Sequence, residues 1–187
     1  MTNLLIASPF LGIAIIVVIY CIDYYQTLRG ARLYHAGANQ FIVVEGSYEL
    51  NPLFAPDIDR LRRISPRFTF VLLIYSLFVS AVWVIFLPVL DIPDMYLFTV
   101  GAILLIQGPV QLRHIRNIQF FKHALDGEGI TGRIEYSRRF TYRASATEYI
   151  SFAGLYLALA LLVSNWFLAG GAFGCLILSL RQNRILQ

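Results

Sequence analysis

An acid inside an apolar segment is the first feature of this sequence that could carry chemistry. Asp23 follows a continuous apolar run, and a charged side chain at the centre of a membrane helix costs about 2.5–3.5 kcal/mol. At helical spacing Asp23 shares one face with Thr27. Such polar stripes usually face a bundle interior or a water-filled cavity, so the pair predicts an ion or proton site. The alternative is that Asp23 lies at headgroup depth and pairs with Arg29 or Arg113.

A second polar stripe recurs further along the chain. Gln107, Gln111 and His114 are spaced four and three residues apart, so they share one helical face. Gly108-Pro109 removes a backbone hydrogen bond in the same turn and predicts a kink. A broken helix beside a polar face can expose groups to an ion or substrate. The more ordinary interpretation is that the amides hydrogen-bond a neighbouring helix.

A third group, in a loop, has the oxygen and nitrogen atoms of a possible metal site. Its carboxylates and amide are Glu45, Glu49 and Asn51, and His35 could add a nitrogen ligand. Their spacing matches no defined metal loop. A solvated turn ending at Asn51-Pro52 is the alternative. The sequence identifies no cofactor.

Composition indicates the environment in which these groups must work. The chain has 187 residues, of which 58% are hydrophobic and 14% charged, whereas soluble domains have about 45–50% apolar and 25% charged residues. The lipid bilayer is therefore the expected solvent. The formal charge of +4 comes from residues at the ends of apolar runs, which predicts contact with anionic headgroups and no nucleic-acid partner.

Five apolar segments approach the length of about 20 residues that a membrane helix needs. The stretch 149–180 would reach about 48 Å as one helix, so we divide it at Ser164-Asn165. A single kinked helix, and hence four spans in total, is the alternative. The predicted spans are 4–26, 68–90, 94–118, 147–163 and 166–181, with loops 27–67 and 119–146.

The basic residues favour five spans, because five spans place all 15 of them on one side. By the positive-inside rule that side is cytoplasmic. The sequence thus predicts an all-α integral membrane bundle forming a single domain of the plasma membrane. Its N-terminus is outside, and its C-terminus and two basic loops are cytoplasmic.

Local patterns add three structural predictions. Ser145-x-x-Glu148 has the form of a capping box before the fourth span. The segment 132–143 could form a small hairpin at the membrane surface. Small residues four apart on the fifth span predict close helix packing, either within the bundle or against another subunit or copy. Those on which this prediction depends are Gly170, Gly171 and Gly174.

One motif resembles a known pattern. Asp23-x3-Thr27, followed by Gly46-x2-Glu49-x-Asn51-Pro52-Leu53, is similar to a family of small uncharacterised prokaryotic membrane proteins, a domain of unknown function. The resemblance covers about the first third of the chain. It implies no activity, but it draws Asp23, Glu49 and Asn51 into one motif.

Three hypotheses about function follow. The first is a non-enzymatic membrane subunit or interaction protein. The second is a small cation or proton channel or transporter that uses Asp23 and the Gln107–Gln111–His114 face. The third is a metal-dependent enzyme that acts on lipid at the cytoplasmic face. The sequence does not identify the substrate, ion, partner or oligomeric state.

Overall fold

A computed structural model describes residues 2–46, 49, 51–127 and 132–184 of this chain, and most of them are helical. This agrees with the predicted all-α class. The helices are α1 (Thr2–Ala7), α2 (Pro9–His35), α3 (Ala55–Asp59), α4 (Pro66–Val84, widened to a π-helix over Ile85–Val89), α5 (Pro93–Leu104), α6 (Gln107–Asp126), α7 (Arg138–Val163) and α8 (Trp166–Arg184).

Four helical stretches in the described part of the chain are long and apolar enough to cross a membrane. The 19-residue helix α8 does not belong to this set. The four stretches are Pro9–His35, Pro66–Val89, Pro93–Asp126 and Arg138–Val163.

Several helices extend well past the predicted spans. Helix α2 continues to His35, α6 to Asp126, and α7 already begins at Arg138. These helices therefore continue into the segments predicted as loops, 27–67 and 119–146. A small apolar cluster holds the ends of α2 and α6 together, with the Tyr34 ring of α2 5.6 Å from the Phe121 ring of α6. Such scattered apolar residues do not form a continuous run in the sequence, so the apolar pattern underestimates these helices.

A short parallel sheet joins the two inter-helix segments. Strand β1 (Ile42–Val44) pairs with β2 (Ile134–Tyr136), with Ile42 opposite Ile134. The predicted hairpin over 132–143 is therefore wrong. Strand β2 finds its partner far away in the sequence, and the chain then enters α7, where Ser137 caps the first turn by accepting a hydrogen bond from the Phe140 N–H.

Helices α7 and α8 form a hairpin at the predicted position. Ser164 adopts a left-handed conformation with φ 48° and ψ 53°, which ends α7 and reverses the chain. The Asn165 side chain then accepts from the Leu168 N–H at 3.2 Å. Near the other end, the Ser179 hydroxyl donates to the Ala146 carbonyl at 2.9 Å. The stretch 149–180 is thus two packed helices and not one kinked helix.

The helices form two neighbouring groups. Helix α2 packs mainly against α4 and α6, whereas α8 packs against both α5 and α7. The main apolar core joins α1, α2, α4 and α5 around the fully buried Tyr96, Ile16 and Val79. The seam between α2 and α6 holds the two polar stripes of the sequence analysis, which are Asp23 with Thr27 and Gln107 with Gln111 and His114.

Candidate functional site

The Asp23, Thr27 and His114 side chains meet where α2 faces α6. The Asp23 carboxylate lies 2.9 Å from His114 Nε2, and Thr27 Oγ1 lies 3.2 Å from the same nitrogen. Thr27 and His114 are buried, and the Asp23 side chain is one-quarter exposed. The two predicted polar stripes therefore meet at this point.

The hydrogen-bond directions assign the imidazole proton. The Thr27 hydroxyl donates to the Asp23 main-chain carbonyl at 2.9 Å, so Thr27 Oγ1 is left to accept from His114 Nε2. Asp23 Oδ1 lies close to Nε2, but it forms no hydrogen bond with His114 or any other described residue. We therefore treat the Asp23 contact as electrostatic and place the proton on Nε2, directed at Thr27.

The other ring nitrogen of His114 is in a different situation. Nδ1 is buried and has no hydrogen-bond partner among the described residues. In a nucleophile relay the base contacts the acid through one nitrogen and the nucleophile through the other. Here Asp23 and Thr27 both contact Nε2, so this arrangement is not a catalytic triad.

The Glu49 carboxyl interacts electrostatically with Asp23 and His114 of this cluster. Burial is the main cause that raises the pKa of the Glu49 carboxyl above its usual range, and the Asp23 charge adds to the rise. The Asn51 N–H, which donates to Glu49 at 2.7 Å, counteracts it, as do His114 and Arg113. The loop motif and the Asp23 motif, distant in sequence, are therefore neighbours in the fold.

Sequence reasoning missed an ion-pair network beside this cluster. Glu148 on α7 lies 2.7 Å from Arg116 and 3.7 Å from Arg113, both on α6. Arg113 also hydrogen-bonds the Ser145 hydroxyl, and its guanidinium lies 5.9 Å from the centre of the Tyr149 ring.

The predicted capping box at Ser145-x-x-Glu148 is wrong, because both residues lie inside α7. The spacing of these residues in the sequence indicates their actual role, which is contact with the arginines of α6. Ser145 and Glu148 share one face of α7, and Arg113 and Arg116 share one face of α6, each pair three residues apart.

The two glutamines of the α6 stripe line the seam with α2. Gln111 donates to the Ile19 carbonyl at 3.4 Å. Gln107 is only 6% exposed, and its Oε1 has no partner in the described part of the chain. Gln111 thus joins α6 to α2, whereas Gln107 keeps an acceptor without a partner among the described residues.

The four candidate metal ligands have other contacts or stand apart. The Glu45 carboxylate accepts from the Arg138 N–H at 2.9 Å, and Asn51 Oδ1 accepts from the Leu53 N–H at 3.1 Å. His35 is exposed at the end of α2, with its ring 5.8 Å from that of Tyr34. Within residues 2–46, 49, 51–127 and 132–184, no three His, Cys, Asp or Glu residues are placed to hold a metal ion.

The glycines of α8 pack inside the bundle. A Cβ on Gly170 would lie 1.8 Å from the Phe98 carbonyl oxygen of α5. A Cβ on Gly174 would lie 2.5 Å from the Ala102 carbonyl oxygen, and one on Gly171 would lie 2.4 Å from the Leu105 side chain. These glycines therefore allow α8 to approach α5, so this row of small residues faces the chain's own helices.

No family model, curated protein or solved structure matches this chain.

Proposed function

We propose that this chain is a five-span plasma-membrane protein that acts without catalysing a reaction, as a membrane subunit or interaction protein. In this arrangement α8 is the fifth span, the N-terminus is outside, and the polar cluster lies at the cytoplasmic face. The one-sided distribution of the 15 basic residues supports five spans. So does the α7–α8 hairpin, since it returns the chain to the basic side.

The observation that supports a non-enzymatic function is that the polar side chains contact neighbouring helices. Asp23 and Thr27 contact the same nitrogen of His114, and Gln111 contacts the α2 backbone. Glu148 neutralises arginines of α6. These groups join helices to one another and do not converge on a reactive atom. The metal-dependent enzyme hypothesis gains no ligand set from the described residues.

Native mass spectrometry after extraction in a mild detergent tests the subunit proposal. We expect a stable complex of fixed stoichiometry, either with other chains or with further copies. A monodisperse single chain would contradict it.

The five-span arrangement has a separate test, because Ser164 is exposed at the α7–α8 turn. With five spans, a membrane-impermeant thiol reagent labels Ser164→Cys in intact cells. Arg184→Cys, exposed at the end of α8, reacts only after lysis. Labelling of Ser164→Cys only after lysis would contradict the five-span orientation.

A proton pathway is a second candidate function, favoured by one specific observation. The buried Nδ1 of His114 has no partner among the described residues, while Asp23 lies at Nε2 and Glu49 interacts electrostatically with both residues. Groups that exchange protons in membranes are typically such carboxylates and histidines. Proton flux into liposomes should then be lost in Asp23→Asn and kept in Asp126→Asn, which removes an exposed acid of α6. Flux that survives Asp23→Asn, or no flux in the unaltered protein, would refute this function.

A further inference from the structure

A break between α5 and α6 opens the bundle beside α7. Pro109 has no N–H to donate to the carbonyl four residues earlier, which belongs to Leu105. That carbonyl instead accepts from the Gly108 N–H at 3.1 Å and from the Tyr156 hydroxyl at 3.2 Å. The break is therefore held in place by a side chain from a different helix.

A crevice of about 330 Å³ lies at this break, between α2, α6 and α7. This volume lies within the range of known ligand pockets, about 300–1,000 Å³. Gly108 is important for its shape, because a Cβ there would lie 2.5 Å from the Tyr156 hydroxyl. The crevice is lined by Ile19, Ile22, Leu104, Leu105, Gln107, Gly108, Gln111 and Tyr156.

The lining determines which molecules the crevice suits. It is mainly apolar, and none of the described residues that line it is charged, so an ionised head would lose its hydration without compensation. Ile22, on the wall, is 45% exposed, which leaves the crevice accessible from the side of the bundle that faces lipid. Such a site suits an apolar body that arrives through the hydrocarbon.

Gln107, in the lining, gives the crevice a recognition element. Gln107 is more than nine-tenths buried, and its Oε1 has no hydrogen-bond partner in the described structure. A buried acceptor without a partner is costly, and a ligand that donates to it removes that cost.

We propose that this crevice binds an uncharged lipid-soluble molecule with an apolar body and a terminal hydroxyl, whose O–H donates to Gln107 Oε1. This site differs from the Asp23–His114 cluster, and the proposal holds for either candidate function. The molecule enters from the bilayer, and its apolar body lies against Ile19, Ile22 and Leu104.

Photolabelling of the full chain in lipid nanodiscs tests this proposal. The probes are a diazirine-bearing long-chain alcohol and its methyl ether, which has the same apolar body but no donor. We expect the alcohol to label peptides of the crevice at about fivefold lower concentration than the ether, the value of one net hydrogen bond. Gln107→Leu should abolish that preference.

Two further variants separate loss of the site from loss of the fold. Gly108→Leu fills the crevice and should reduce labelling by both probes. Gly154→Leu, on a part of α7 where a Cβ meets nothing within 4 Å, should leave labelling unchanged. Equal labelling by alcohol and ether in the unaltered protein would overturn the proposal. So would a preference that survives Gln107→Leu.

Discussion

The contact between α5 and α8 gives the sharpest prediction about packing, and Gly170→Ala tests it. The added Cβ would lie 1.8 Å from the Phe98 carbonyl oxygen. This oxygen belongs to backbone, so it cannot rotate away as a side chain would. The contact is reciprocal, because a Cβ on Gly101 would lie 1.9 Å from the Phe167 carbonyl oxygen.

The magnitude follows from the geometry. An ordinary contact begins at 3.4 Å, so Gly170→Ala requires the two backbones to separate by roughly 1.6 Å, the difference between 3.4 and 1.8 Å. Overpacking of a core commonly costs about 1–3 kcal/mol and occasionally more. Because backbone must move here, we expect a loss of about 3 kcal/mol in the free energy of unfolding.

Gly154→Ala is the matched control for this experiment. It makes the same chemical change in α7, where the new Cβ meets nothing within 4 Å. Since alanine favours helix over glycine by about 0.5–1 kcal/mol, its stability should be unchanged or slightly higher. Both values can be measured by unfolding titrations in mixed micelles. If Gly170→Ala unfolded as readily as Gly154→Ala, the close approach of α5 and α8 would be refuted.

Three further variants test other contacts. The raised pKa of Glu49 means that folding favours the protonated carboxyl. The protonated Glu49 carboxyl therefore contributes its full stability below the ordinary pKa of 4.5. This contribution is lost as the pH rises through the folded-state pKa. Glu49→Gln should flatten this fall in a pH series of unfolding free energies, and an unchanged slope would contradict it. Tyr156→Phe should lower the free energy of unfolding by about 1 kcal/mol. In a Pro109→Ala background, which restores the missing N–H donor, the same substitution should change it by almost nothing. Equal losses in both backgrounds would contradict this explanation of the break. Glu148→Gln, in a partly buried network, should lower the free energy of unfolding by about 1–2 kcal/mol. Glu135→Gln, in an exposed pair, should lower it by under about 1 kcal/mol, and equal losses would contradict a stronger network at Glu148.

Much of the helical architecture follows from apolar length and a few local signals. Ser65-Pro66 predicts the start of α4, and the Ser65 side chain does accept from the Phe68 N–H at 3.1 Å. Ser164-Asn165 predicts the α7–α8 turn in the same way. These signals are local, so the sequence alone carries them.

Pairings between distant segments could not be predicted in this way. Strands β1 and β2 have three residues each and lie about 90 positions apart, too short for any periodicity to indicate a partner. The same limit applies to the site. Its separate stripes were visible in the sequence, but the choice of His114 rather than Arg113 as the neighbour of Asp23 depends on how α2 and α6 rotate against each other.

The Glu148 network was missed for a related reason. Ser145-x-x-Glu148 fits a capping pattern equally well, and only the true start of α7 at Arg138 places both side chains inside the helix. The position of a helix end therefore decided whether this acid was a cap or an ion-pair partner.

We expect Asp23 and His114 to act together in holding α2 against α6. A double-mutant cycle measures this coupling directly, with Asp23→Asn, His114→Gln and the double variant compared by their free energies of unfolding. Residues in contact usually couple by about 0.5–3 kcal/mol, and the one-quarter exposure of Asp23 lowers our expectation to about 1–2 kcal/mol. We expect the double variant to lose less stability than the two single losses combined. Losses that add to within about 0.3 kcal/mol would show that Asp23 and His114 are not coupled and would contradict this expectation.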